Sequence, residues 1–130
     1  MNHPLLAAGV ICLDLSAGHT VIGVKWVLPR LPVESLPRSP LGGPRTTAIA
    51  IKITWYVVTI CLAGIGGILI ALAEDPLGAS GTVAVTGISV LFLGITIVFL
   101  VLQSKRPSTF IRAPMSLLVA AVAVLCWIAR

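Results

Sequence analysis

Apolar residues fall along this chain in four long runs, not in one-sided stripes, and most polar residues gather between them. Residues 4–24, 49–73, 82–103 and 113–129 each read as a helix apolar nearly all round, the pattern of helices covered by lipid or by one another. The pattern predicts an all-α fold: a single membrane domain over residues 1–130, a polytopic bundle of four transmembrane helices. A long connection, 25–48, and two short ones, 74–81 and 104–112, join them. As a helix the second run measures about 37 Å, enough to cross a bilayer with some tilt. The fourth sits near the lower limit of roughly 17 residues.

The first run is the one that polar residues interrupt. Its nine aliphatic residues between Leu5 and Val24 each favour insertion by roughly 0.3–0.6 kcal/mol, while Asp14 near the centre costs about 2.5–3.5 kcal/mol. Packing against the other helices has to complete insertion, and re-entry of 4–24 is the alternative to a full crossing. A secretory signal fits poorly, because no basic segment precedes the run and Asp14 breaks it.

Composition agrees with the pattern. The chain is 58% hydrophobic and 10% charged, with a mean hydropathy of +1.10. A soluble domain carries about 25% charged residues, so the composition argues against a water-soluble fold. The basic pI of 9.7 does not point to nucleic acid. Lys25, Arg30, Arg38, Arg45 and Lys52 lie in or beside the long connection, and Lys105, Arg106 and Arg112 in or beside the last. Glu74 and Asp75 sit in the turn between. Positive connections stay on the cytoplasmic side, which predicts a multi-pass protein of the cell membrane with both termini outside. Lys25, Arg30, Arg38 and Arg45 then face anionic lipid headgroups. Trp26, Trp55 and Tyr56 fall near the inner interface and Trp127 near the outer one.

Five prolines between Pro29 and Pro44 argue against regular helix in 25–48 and favour extended backbone. Pro29-Arg30-Leu31-Pro32 and Pro37-Arg38-Ser39-Pro40 match a loose partner-docking pattern; a semi-rigid tether on the headgroups is the plainer reading.

Candidate chemistry centres on Asp14 and His19. Five residues at about 100° each set them about 140° apart on a helix, so they meet different neighbours. Asp14 shares a face with Ala7, Gly18 and Val21; His19 lies with Cys12, Ser16 and Gly23. Neither face is strongly apolar, which predicts a central position for the first helix. Asp14 is either a neutral carboxyl bonded to a hydroxyl on another helix or a proton-coupling group. His19 is either a satisfied packing residue or a shuttle.

Small residues mark helix packing at Gly18, Ala63, Gly67, Gly87, Gly94 and Ala120. Thr59, Ala63, Gly67 and Ala71 recur every four residues, and Thr82, Thr86, Ser89 and Thr96 form a hydroxyl stripe. Cys12, Cys61 and Cys126 read as buried, inert thiols. No spacing suggests a metal site or a cofactor, and no catalytic constellation appears, so no enzyme is expected.

Two resemblances follow from these residues. Gly18-His19-Thr20-Val21-Ile22-Gly23-Val24-Lys25, then a basic connection, then Thr54-Trp55-Tyr56-Val57-Val58-Thr59, resembles a group of uncharacterised small bacterial four-helix integral membrane proteins. There a His-Ser-x-x-Gly-Glu run ends the first helix and a Trp-His-x-Thr run opens the second. Val24 and Tyr56 stand where that group has Glu and His. The resemblance implies four helices and no assigned activity. In layout the chain is also similar to small multidrug resistance transporters, whose first helix carries one acid that exchanges protons for a cationic substrate in a dimer. Asp14 would correspond to it, although the proline-rich connection is foreign to that family.

The reading that results is a non-enzymatic interaction or accessory component, as a homo-oligomer or with a membrane-protein partner. A small proton-coupled transporter using Asp14 is the alternative.

Overall fold

The computed structural model describes residues 1–37, 42–74, 78–104 and 115–130, and it is built from helices. Four α-helices follow in order: α1 (His3–Ile22), α2 (Pro44–Glu74), α3 (Ala79–Ser104) and α4 (Met115–Ala129). Three helical stretches, His3–Arg30, Pro44–Glu74 and Ala79–Val101, are long and apolar enough to cross a membrane. The apolar stretch of α4 is shorter; its 15 residues rise only about 22 Å. Arg38, Asp75, Lys105, Arg106, Arg112 and residues 113–114 of the fourth run lie outside the described residues.

Asn2 organises one end of the molecule. Its side-chain oxygen caps α1 by accepting from the Leu5 N–H at 3.3 Å, and Pro4 occupies the first turn, where a missing N–H costs nothing. Its backbone N–H donates to Ala73 O at 2.7 Å, and its side-chain amide donates to Ala129 O at 3.0 Å. One residue thus serves the start of α1 and the otherwise orphaned carbonyls that end α2 and α4. The amino end, the last turn of α2 and the end of α4 therefore lie together.

α1 runs antiparallel to α2 in a constant register: Asn2 meets Ala73, Gly9 meets Gly66, and Ser16 meets Thr59. Each step is seven residues on both helices, the repeat of left-handed helix packing. The sequence suggested a four-residue row, Thr59, Ala63, Gly67 and Ala71. Four residues overshoot a turn by about 40°, so that row winds away from the seam, and Gly67 and Ala71 emerge exposed.

The close approach is at Gly9 and Gly66. A Cβ on Gly9 would come within 2.9 Å of Gly66 O, and one on Gly66 within 2.9 Å of Gly9 O. Gly18, Gly67, Gly87 and Gly94 have nothing within 4 Å of such an atom, and Ala63 and Ala120 are half-buried.

α1 packs between α2 and α4, α4 packs on α3, and α2 scarcely touches α3. The core joins Leu5, Ala8 and Cys12 of α1 to Leu69 of α2, Phe92 of α3 and Val122 of α4. Large apolar residues elsewhere, including Ile53 and Ile60 of α2 and Leu93 and Ile97 of α3, are exposed. Such continuous apolar surface suits lipid, not water.

Two expectations change here. The first helix does not stop at Val24: a π-turn over Gly23–Val27 and a 3-10 turn over Leu28–Arg30 carry it into the proline-rich connection. Pro29 ends the α-ladder because it has no N–H, and the wider turn closes through Leu28 N–H on Gly23 O instead. α2 likewise starts early, at Pro44, leaving a shorter connection that Thr47 Oγ1–H ties to Pro37 O at 2.8 Å. Nor is α1 covered on every side. With neighbours on two sides only, its Asp14 side stays open.

Candidate functional site

His19 sits in a tight polar node between α1 and α2. Its Nδ1 is 2.9 Å from Thr59 Oγ1, and its ring stacks on the Trp55 indole with centroids 4.2 Å apart and planes 10° from parallel. The Trp55 indole N–H donates to His19 O at 3.0 Å, and Ser16 Oγ–H donates to Thr59 O at 2.9 Å. The indole fits because residue 23 has no side chain: a Cβ on Gly23 would fall on Trp55 Nε1. Insertion of an indole beside the helix ladder is also a physical reason for the π-turn that begins at Gly23.

The imidazole's tautomer is tied to where the Thr59 hydroxyl sends its proton. Thr59 Oγ1–H donates to Trp55 O at 3.2 Å, and a hydroxyl has one proton to give. With that proton committed, His19 Nδ1–H donates to Thr59 Oγ1, and Nε2 carries the lone pair. Nε2 has no partner among the described residues.

Below the node lies a cavity of about 170 Å³ bordered by all four helices. His19 of α1, Val58 and Leu62 of α2, Phe92 and Phe99 of α3 and Val119 of α4 contribute to its wall.

Asp14 belongs to neither feature. It is exposed, does not line the cavity beside His19, and has no hydrogen bond or ion pair among the described residues. It lies midway between His3 and Lys25, about 17 Å from each along the helix. Among the described residues no hydroxyl of another helix meets Asp14, because α1 turns Leu5, Cys12 and Ser16 inward. Asp14 is two residues, or about 200°, from both Cys12 and Ser16. Ala7, Val10, Ala17, Val21 and Val24 are exposed with it, spaced alternately by three and four residues.

Of the remaining hydroxyls, Ser89 crosses between helices, donating to Ala123 O at 2.8 Å. Thr82, Thr86 and Thr96 bond carbonyls of the preceding turn instead, as threonines in helices do. Ser116 is buried with no hydrogen-bond partner among the described residues. Cys12 and Cys126 are buried in the core, whereas Cys61 is exposed on α2, about 200° round the helix from the inward-facing Thr59. Lys25, Arg30 and Arg45 are exposed at the end opposite Asn2. Among the described residues no three His, Cys, Asp or Glu side chains come together as a metal site would need.

Comparison of the chain with protein-family models, with characterised proteins and with solved structures finds no match.

Proposed function

We propose that this chain is a four-span integral membrane protein that acts without catalysis, by association, and that the outer face of α1 joins a second copy of the chain. The observation that carries the reading is Asp14: a carboxyl midway along an apolar helix, exposed and without a hydrogen bond or ion pair among the described residues. Left in hydrocarbon such a group costs several kcal/mol, and a partner helix removes that cost. The stripe around it has the alternating three–four spacing of a helix-dimer seam, with Ala7 and Ala17 small enough for close approach. A two-fold axis along this seam sets Asp14 against Asp14, where two carboxyls share a hydrogen bond. The basic end, with Lys25, Arg30 and Arg45, would lie at the cytoplasmic headgroups and both termini outside.

The test is the oligomeric state of the purified chain in lipid nanodiscs or mild detergent, read by mass photometry. A dimer that Asp14→Leu converts to folded monomer supports the reading. A wild-type monomer with nothing bound, or a dimer indifferent to Asp14→Leu, overturns it; a stoichiometric foreign membrane protein would replace the second copy as occupant.

The same geometry supports a second reading, proton-coupled transport by a paired Asp14 in the dimer, as in the small multidrug resistance layout. Asp14→Asn separates the two. It keeps a hydrogen-bonding group but cannot titrate, so loss of cation efflux in a persisting dimer would mean transport.

A further inference from the structure

The cavity between the four helices has the size of an aromatic ring. At about 170 Å³ it compares with an engineered apolar cavity of roughly 150 Å³ that stays dry and takes up benzene. Among the described residues its walls are Val, Leu, Ile and Phe side chains, and His19 is the one polar residue. A buried water needs two to four polar partners, so this wall favours an organic occupant over water.

His19 sets the chemistry of that occupant. Its Nδ1 is held by Thr59 and the stacked indole holds the ring plane; with the Thr59 hydroxyl donating to Trp55 O, Nε2 is left as an acceptor without a partner among the described residues. In an apolar cavity an acceptor favours a molecule that brings a donor, and disfavours one that brings only another acceptor. A hydroxyl on a benzenoid ring meets both demands, shape and donor. The bilayer supplies the route, because such molecules dissolve in it.

We propose that this cavity binds small lipid-soluble phenols, with His19 accepting a hydrogen bond from the phenolic hydroxyl. The inference does not depend on association through α1, since the cavity lies within one chain.

The experiment uses the full chain in lipid nanodiscs and two probes of nearly equal size, 4-fluorophenol and fluorobenzene, followed by fluorine NMR. Saturable binding of 4-fluorophenol about three- to tenfold tighter than fluorobenzene is expected, the range that one neutral hydrogen bond supplies. His19→Phe keeps an aromatic ring against Trp55 and removes the acceptor; it should lower phenol affinity to the fluorobenzene level and leave fluorobenzene unchanged. Val119→Phe fills the cavity from α4 and should abolish saturable binding of both probes. Equal affinity for the two probes in the wild type, or a phenol preference that survives His19→Phe, overturns the proposal. So does binding that persists in a folded Val119→Phe protein, because the probes are then dissolving in lipid. Should Val119→Phe fail to fold, the His19→Phe comparison decides alone.

Discussion

The two faces of α1 carry nearly the same kinds of residue and meet opposite fates. Inward, Gly9, Cys12, Ser16, His19 and Gly23 line a seam in which both Ser16 and His19 bond α2, and the glycines admit backbone or indole at close range. Outward, Ala7, Val10, Asp14, Ala17 and Val21 line an exposed stripe on which Asp14 has no hydrogen bond or ion pair among the described residues. Polarity alone therefore does not say which face a helix buries within its own chain. The inner face stabilises the fold with polar groups that bond α2, His19 Nε2 alone being left over among the described residues. The outer face keeps a carboxyl with no partner among the described residues, and that difference is what singles it out.

The contrast breaks most visibly at Asp14. Asp14→Leu should favour insertion of the first helix by about 3–4 kcal/mol, because a charged residue at the centre is exchanged for one that prefers hydrocarbon. Glycosylation mapping of insertion efficiency for the isolated first segment reads this directly. If insertion of the full chain falls instead, Asp14 is held by a partner during assembly and the outer face is not free. Next in size is a pair of glycine substitutions on opposite faces. Gly9→Leu forces a side chain against Gly66 O and Ile70, and should destabilise the protein by about 1–3 kcal/mol. Gly18→Leu, with nothing within 4 Å, should leave the monomer within about 0.5 kcal/mol of wild type. Unfolding in mixed micelles by sodium dodecyl sulfate compares them; equal losses would mean that the two faces are packed alike.

Much of this was legible in the sequence, and the gaps have physical causes. The four helices follow from apolar runs too long for anything else. The assignment of Asp14 and His19 to different faces follows from helical angle alone. What angle cannot supply is which face meets which neighbour. Gly9 and Gly66 were invisible because their meaning lies in a register between two helices. Gly67 and Gly94 look equivalent in the sequence and face outward. Trp55 read as an interfacial aromatic because its partner, His19, is 36 residues away, and only the absent side chain of Gly23 hinted at the indole's place. The proline-rich stretch misled through the opposite fault: proline forbids an α-ladder but tolerates π- and 3-10 turns, so helix continued to Arg30.

The contrast between bonded and unbonded polar groups returns on a smaller scale in α3. Ser89 and Thr86 are three residues apart and both carry satisfied hydroxyls, but Ser89 bonds Ala123 of α4 and Thr86 bonds its own helix. Ser89→Ala should therefore weaken the α3–α4 contact by about 0.6–1.7 kcal/mol, the measured span for interhelical hydrogen bonds in membranes. Thr86→Val should cost less than about 0.5 kcal/mol, since the carbonyl it served keeps its helical N–H partner. Thermal unfolding in one detergent ranks the two variants. A Thr86→Val loss as large as that of Ser89→Ala would mean that hydroxyls stabilise this protein by tightening their own helices. A bond across the interface would then count for no more than one within a turn.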